Sequence, residues 1–270
     1  MKKLLFCCLF LSANLMFSFQ KEIKHQEGRD TTGFVVSAVD YVNPFIGTAP
    51  LTDPEFIGYT PPEGWRVWAG LTYPGSTLPN AMVQLSPITE YSTGAGYEYE
   101  DDTIVGFTHT NKGHWNLCNI PVLPVSGKTV APFESSFSHN TEKASPAYYE
   151  VFLEDYGVKV RLTSTLRAGI HEYTFENNKD RKILFDLAKA NNRVSNWEIT
   201  QKGANAVAGY QQMGREKIYF FAEINQKITK IDQKTGENGY ALLNISDAKS
   251  EPITLKIGLS FVNIDNAKEN

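Results

Sequence analysis

The sequence predicts an all-β protein, a sandwich of two antiparallel sheets. Runs that alternate between apolar and polar residues recur along the chain from Asp40 onward, as expected for strands with one buried face. Polar turn residues separate these runs at a spacing of roughly 10 residues, which is typical of sandwiches. An amphipathic helix of about three turns is not evident between Asp40 and Val262.

The individual strands follow from this alternation. Residues 158–163 alternate strictly between apolar and polar side chains. Further runs share the pattern or are enriched in β-branched and aromatic residues: 148–153, 170–175, 182–187, 197–200, 217–224 and 253–262. Turns with glycine, asparagine or aspartate separate them: residues 155–157, 176–178, 201–203 and 236–239.

The first 20 residues have the pattern of a signal peptide. A short basic start precedes an apolar run from Leu4 to Phe19, and a polar stretch begins at Lys21. The run is shorter than the ~20 apolar residues that a membrane span requires. We therefore expect export to the periplasm, the cell surface or the medium. Cleavage is expected near residues 18–20, followed by a linker over residues 21–39.

Composition and charge exclude some classes of protein. The chain of 270 residues has a formal net charge of −4 and no run of Lys and Arg, so it lacks the electrostatic signature of a nucleic-acid-binding protein. A mildly acidic chain suits a neutral ligand such as a glycan. Cys7 and Cys8 lie in the predicted signal peptide. The remaining Cys118 is expected to be a small buried hydrophobic residue, without a disulfide partner.

Residues 41–126 are less regular and rich in Gly, Pro, Trp and His, which predicts long loops of the kind that carry binding residues. Tryptophan rings there can stack on sugar C–H faces: Trp65, Trp68 and Trp115. Polar side chains can hydrogen-bond sugar hydroxyls: His109, Asn111, His114 and Asn116. Structural alternatives exist, because the first two tryptophans can close the end of the sandwich and His109 can be a core histidine. His114 and Trp115 have the pattern of a displayed loop, which favours binding.

Other catalytic classes have little support. His109 and His114 are five residues apart in a glycine-containing loop rather than at the i, i+4 spacing of a zinc-hydrolase helix. The sequence has no G-x-S-x-G elbow and no phosphate-binding glycine loop. An acidic cluster could hold calcium, supply a glycosidase carboxylate pair or form a solvated turn: Glu98, Glu100, Asp101 and Asp102. Nothing identifies an acid and a base that face each other.

Several short sequence blocks follow one another in a characteristic order. They are YVNPFIGT at 41–48, YPGSTLP at 73–79, MVQLSP at 82–87, GFTHT at 106–110, SPAYY at 145–149, LEDYGVKV at 153–160 and LTSTLRAG at 162–169. Together they resemble the N-terminal domain of family 92 glycoside hydrolases, from about Asp40 to Asn270. One departure follows the Thr-His-Thr motif, where many members have HLSGTG and this chain has NKGHWN at 111–116.

The resemblance implies a galactose-mutarotase-like β-supersandwich over residues 40–264, followed by a helical-barrel catalytic domain. Members are exo-acting, inverting, calcium-dependent α-mannosidases that act on N-glycans or mannans. The resemblance assigns the catalytic acid and base and most calcium contacts to the barrel, while loops of the N-terminal domain border the sugar. By position these are the segment around Tyr91 and residues 109–115, with Trp65 and Trp68. Residues 265–270 would begin the interdomain linker.

Three hypotheses about function follow. The leading one is the carbohydrate-contacting N-terminal domain of a secreted α-mannosidase, inactive alone because its catalytic barrel is missing or separately encoded. Its partners would be an α-mannoside glycan and that barrel. The second is a free-standing secreted carbohydrate-binding module without hydrolase activity, and the third is a structural remnant. The departure at residues 111–116 leaves the linkage preference open in each case.

Overall fold

The chain divides into two units, residues 1–41 and 42–270. The computed structural model describes residues 28–29, 35–63, 65–68, 70–113, 117–128, 130–177, 180–246 and 252–270. In the first unit, strands β1 (Gly28–Arg29) and β2 (Val35–Val36) pair antiparallel, and a 3-10 helix spans Ala38–Tyr41. The predicted signal peptide lies outside the described residues, as does most of the predicted linker.

Short strands joined by long loops begin the second unit. They are β3 (Pro50–Leu51), β4 (Val67–Trp68), β5 (Ser76–Thr77), β6 (Gln84–Ile88), β7 (Thr103–Ile104), β8 (Gly106–Thr108), β9 (Val122–Ser126), β10 (Ser135–Ser136) and β11 (Lys143–Ser145). A 3-10 helix, His139–Thr141, precedes β11. Helix α1 (Pro54–Ile57) follows β3. It begins where the Asp53 carboxylate accepts the N–H of Glu55 and ends at Gly58 in the left-handed conformation.

Longer strands make up the rest of the second unit. They are β12 (Tyr148–Leu153), β13 (Val158–Ser164), β14 (Ala168–Phe175), β15 (Arg181–Phe185), β16 (Asn196–Gln201), β17 (Ala206–Met213), β18 (Glu216–Ile224), β19 (Ile228–Lys234), β20 (Tyr240–Ile245) and β21 (Ile253–Ser260). Helix α2 (Ile264–Glu269) contains most of the predicted interdomain segment and packs on the sheet. No helix among the described residues is long and apolar enough to cross a membrane.

The strands of the second unit form two large antiparallel sheets. The eight-stranded sheet has the order β11-β12-β13-β14-β21-β18-β17-β16, and the seven-stranded sheet has the order β19-β20-β15-β9-β8-β6-β5. The predicted all-β, two-sheet architecture is confirmed. Strands β17, β19 and β20 were not predicted, and residues 41–126, predicted as long loops, contribute β6, β8 and β9 to the seven-stranded sheet. In β17 and β20 both faces are largely buried, so a run such as Ala206–Gly209 shows no apolar–polar alternation.

Buried side chains of the two sheets meet in one apolar core. In β13, Val158, Val160 and Leu162 are buried while the residues between them are exposed or half-buried. Phe185 of β15 stacks on Phe220 of β18 across the sandwich, with ring centroids 5.6 Å apart. Each large apolar side chain that is fully buried in this way stabilises the fold by roughly 1.5–3 kcal/mol.

A chain of hydrogen bonds joins the two sheets through this core. His109, directly after β8, places its Nε2 3.0 Å from Nε2 of His171 on β14. His109 Nδ1 lies 2.7 Å from the carbonyl oxygen of Ile120, and His171 Nδ1 lies 2.9 Å from the Tyr173 hydroxyl. One set of tautomers satisfies every atom: Tyr173 donates to His171, His171 donates to His109, and His109 donates to Ile120. Both rings are neutral in this arrangement, because each carries one N–H and uses its other nitrogen as an acceptor.

Gly169 on β14 makes room for the His109 ring. A Cβ at this position would lie 2.7 Å from Cδ2 of His109, whose ring is held at both nitrogens and cannot turn away. We expect Gly169→Ala to lower the free energy of unfolding by about 1–3 kcal/mol. Gly106→Ala on β8 is the matched control, because its Cβ would meet its nearest neighbour at an ordinary 3.5 Å. Denaturant unfolding measures both, and equal losses would contradict this account.

Candidate functional site

Three loops are tied together by hydrogen bonds, and we call them the loop cluster: residues 89–102, 109–121 and 186–195. Asn191 joins all three. Its backbone N–H donates to the carbonyl oxygen of Leu117 at 2.9 Å, and its Nδ2 donates to that of Thr93 at 3.1 Å. Its Oδ1 accepts the N–H of Ser92 at 3.0 Å. The half-buried Asn191 therefore links all three loops.

The loop between β8 and β9 has a strained backbone. Leu117, Cys118 and Ile120 have positive φ angles of 67°, 55° and 51°, which cost roughly 1–3 kcal/mol each for residues with a side chain. Hydrogen bonds close the base of the loop. The Cys118 N–H donates to the Thr110 carbonyl oxygen at 2.9 Å, and the Asn119 N–H donates to Thr110 Oγ1 at 3.0 Å. Such strain persists because its surroundings determine the backbone on several sides.

Gln211 of β17 supplies much of that support. This fully buried side chain reaches from the eight-stranded sheet into the loop cluster. Its Oε1 accepts the N–H of Ile120 at 3.0 Å and Nδ2 of Asn119 at 3.1 Å. Its Nε2 donates to the carbonyl oxygens of Leu187 at 2.9 Å and Lys189 at 2.8 Å. Both lone-pair positions and both N–H groups of the amide are thus used.

Asn111 and His109, both predicted to hydrogen-bond a sugar, point into the protein. They are 3% and 0% exposed. Asn111 Nδ2 donates to the Ala95 carbonyl oxygen at 2.7 Å and to Ser86 Oγ at 3.3 Å, and its Oδ1 accepts the N–H of Gly113 at 2.8 Å. The core alternative describes His109 in this structure, and Asn111 shapes its loop from within.

The histidine pair is kept neutral by its surroundings. Burial lowers the pKa of His109 to about 4, against an ordinary value of 6.5. Burial, reinforced by the neighbouring His109, lowers the pKa of His171 well below its ordinary value. Charging either ring would cost the desolvation of the charged form.

Tyr91, another predicted site residue, turns its hydroxyl inward. Burial, reinforced by Asp186 and Cys118, raises the pKa of this hydroxyl well above 10. Lys189 Nζ lies 5.7 Å from the centroid of the Tyr91 ring and 3.4 Å from Asp186 Oδ2. The residue therefore offers its ring, not its hydroxyl, to a surface cleft that it helps to line.

The structure describes Trp65 and the backbone of Trp68 among the predicted tryptophans. Trp65 is 73% exposed in the connection between α1 and β4, and Trp68 in β4 pairs with Pro50 of β3. The side chain of Trp68 lies outside the described residues, as do His114 and Trp115 entirely. Sugar contacts by all four residues stay predictions.

The acidic cluster is partly buried. Glu98 is fully buried, so the expected solvated turn is wrong at this position. Arg66 Nη1 lies 3.9 Å from Glu98 Oε2, and Nη2 donates to Asp101 Oδ1 at 2.7 Å. The two carboxylates thus form ion pairs with the Arg66 side chain. Within the described ranges, no group of three or more His, Cys, Asp or Glu side chains could hold a metal ion. The implied calcium therefore stays a prediction for the family enzyme.

A small depression and a larger cleft mark the surface near these loops. The depression, about 470 Å³, is bordered by Leu71, Tyr73 and Gly113, directly before residues 114–116. Gly113 has a φ of 65°, and a Cβ there would lie 2.1 Å from the Leu71 carbonyl oxygen, so this close packing requires glycine. The cleft, about 1170 Å³, is bordered by Tyr91, Trp197 and residues 233–238 among others.

Sequence comparison defines the class of this protein. The model of the glycosyl hydrolase family 92 N-terminal domain matches residues 41–260. The chain therefore belongs to glycosyl hydrolase family 92, as the sequence blocks indicated. No curated protein sequence matches it significantly.

Solved structures of this family have the same fold. The family GH92 α-mannosidase BT3965 from Bacteroides thetaiotaomicron is 26% identical, with a TM-score of 0.74 over 86% of this chain and 34% of that enzyme. Its complex with mannoimidazole gives 26%, 0.73, 86% and 33%. The inverting mannosidase BT2199 from the same organism gives 23%, 0.71, 86% and 32%, a likeness of fold. The chain thus spans about a third of the length of these mannosidases.

The neutral histidine pair predicts a pH dependence of stability. With ordinary pKa values of 6.5, the unfolded chain binds more protons at His109 and His171 than the folded chain between pH 6.5 and about 4. The free energy of unfolding therefore falls as the pH decreases through this window, by roughly 3 kcal/mol from His109 alone. Denaturant unfolding at several pH values measures the slope. We expect a shallower slope in His171→Gln, and identical slopes would contradict the assignment.

Gln211 should be energetically far more important than its neighbour. Gln211→Ala leaves the buried N–H of Ile120 and the carbonyl oxygens of Leu187 and Lys189 without this partner, so we expect a loss of about 3 kcal/mol in the free energy of unfolding. Gln212→Ala is the control, since the Gln212 amide makes an exposed hydrogen bond to Gly214 and its loss should be within about 0.5 kcal/mol. Hydrogen exchange should show lost protection near Ile120 in the first variant alone. Similar results for both would refute the role.

Proposed function

We propose that this chain is the carbohydrate-contacting N-terminal domain of an exported α-mannosidase that acts on N-glycans or mannans. The observation that carries the proposal is the family match over residues 41–260, together with the structural match to about a third of an α-mannosidase. The signal-peptide pattern of the first 20 residues supports export. Hydrolysis, in this proposal, requires a catalytic domain beyond the matched third.

The carboxylates of the loop region support this division of labour. Inverting hydrolysis requires an acid and a base on opposite sides of the glycosidic bond, roughly 6.5–9.5 Å apart. Glu98 and Asp101 are engaged by Arg66. Glu142 is buried and accepts hydroxyl hydrogen bonds from Tyr97 and Tyr149. These groups are committed to the fold, so we propose that the acid, the base and the calcium site belong to the catalytic domain.

The loop region is suited to framing a terminal mannose. Leu71 and Gly113 border the depression, and residues 114–116 follow Gly113 in the sequence. In this proposal Trp115 stacks on the sugar and His114 meets its hydroxyls. Asn111 and Leu117, which flank this segment among the described residues, both make internal hydrogen bonds.

Hydrolysis by the purified chain tests the proposal. We expect no release of mannose from α-mannobiose, with or without added calcium, because the acid and base are supplied by another domain. Fusion of this chain to the catalytic region of BT3965, in place of that enzyme's own N-terminal third, is expected to restore release. Mannose release by the isolated chain would overturn the proposal, since catalysis would then lie within these 270 residues.

A free-standing carbohydrate-binding module is the second candidate. Residues 42–270 form a unit with its own core, which is what independent folding requires. Titration of mannose oligosaccharides separates the candidates. Tight binding by the isolated chain, combined with an inactive fusion, favours the binding module. In either case Trp115→Ala should weaken binding about tenfold, and unchanged affinity would remove Trp115 from the site.

A further inference from the structure

The larger cleft lies between an edge strand of one sheet and an edge strand of the other. Strand β16 is one edge of the eight-stranded sheet, and β19 is one edge of the seven-stranded sheet. Trp197 of β16 and Gln233 of β19 both line the cleft, whose volume is about 1170 Å³. Residues 188–195, the β19–β20 turn, Tyr91 and Ser92 also border it. We call this space the lateral cleft.

The edges beside the lateral cleft are protected against pairing with another strand. Outward charges interrupt both of them, with Glu198 on β16 and Lys230, Asp232 and Lys234 on β19. Lys230 and Asp232 form an ion pair. Charged side chains on an edge strand disfavour addition of a further strand. The cleft is therefore better suited to a ligand that contacts the protein's side chains than to an extended peptide that would pair with an edge strand.

Aromatic rings give the lateral cleft its apolar surface. Trp197 is half-buried and held against the β19–β20 turn, where a Cβ on Gly239 would lie 2.5 Å from Cζ2 of the indole. Tyr91 contributes its ring while its hydroxyl stays buried. Rings fixed in this way can stack on the C–H faces of a sugar without losing side-chain freedom on binding.

Polar groups around these rings suit a neutral, hydroxyl-rich ligand. The amides of Asn192, Gln233 and Asn238 offer donors and acceptors together. The charges are balanced: Lys189 lies 3.4 Å from Asp186, and Arg193 and Glu237, of opposite sign, both line the cleft. A site without net charge discriminates against phosphate and carboxylate ligands. An uncharged oligosaccharide has the matching chemistry.

We propose that the lateral cleft binds the inner sugars of an oligosaccharide whose terminal mannose lies at the loop bearing residues 114–116. The proposal rests on the proposed function for its ligand class. The volume exceeds the 300–1,000 Å³ of ordinary small-molecule pockets and so has room for several sugar units. Ser92 lines the cleft and is hydrogen-bonded to Asn191, whose N–H donates to the carbonyl oxygen of Leu117, so hydrogen bonds connect the cleft to the described end of that loop.

A cleft-filling variant of the full chain tests this. Ala190 lines the lateral cleft, and Ala190→Trp would occupy it. Lys202→Trp, at an exposed turn after β16, is the matched control. The ligands are a high-mannose N-glycan oligosaccharide and α-mannobiose, followed by calorimetry and ligand-observed NMR. We expect Ala190→Trp to bind the N-glycan about tenfold more weakly and α-mannobiose unchanged, while Lys202→Trp binds both like the wild type.

A second variant guards against misfolding. Asn238→Ala removes one exposed amide from the cleft, and thermal melts followed by circular dichroism check the fold of each variant. Equal N-glycan affinity in wild type, Ala190→Trp and Asn238→Ala overturns the proposal, as does absence of N-glycan binding by the wild type. Loss of binding in Trp115→Ala alone overturns the cleft but supports the proposed function. The fusion enzyme's mannose release judges that function separately.

Discussion

The hydrogen bond between His109 and His171 is the contact on which the interior of the sandwich depends. Two polar rings lie among apolar side chains, and an unpaired ring nitrogen there would cost about 1–3 kcal/mol. The chain from Tyr173 to the carbonyl of Ile120 satisfies every nitrogen. It holds β8 against β14, and it explains why β14 carries Gly169, since no Cβ fits beside the His109 ring.

The same rule, that buried polar groups must be paired, organises the loops. Three amide side chains do most of this: Asn111, Asn191 and Gln211. They bond to backbone groups of neighbouring loops, and Gln211 supports the left-handed backbone at Ile120. The exposed part of the loop cluster is therefore supported from below by these amide side chains. A rigid sandwich with internally braced loops is the kind of scaffold that positions binding residues.

Much of the fold could be predicted from the sequence because its signals are local. Strands with one solvent face, such as β13, show strict alternation, whereas β17 is largely buried on both faces and loses that signal. The family was identified from short blocks in order. Less of the site could be predicted. Asn111 has an amide of the kind that binds sugar hydroxyls, but its side chain points inward. Glu98 has the sequence context of a solvated turn, but it is buried beside Arg66.

By itself, the sequence determined the all-β class, the family and the stretch of chain that carries the loops, because alternation, turn residues and motif order act over a few residues. Only the tertiary structure decided which polar side chains face inward. His109 contacts His171 from a position 62 residues away in the sequence, and the residues around neither histidine predict this contact. The lateral cleft has the same origin. Tyr91, Trp197 and Asn238 come together only because the two sheets end at β16 and β19, and that edge exists only once the strands have packed.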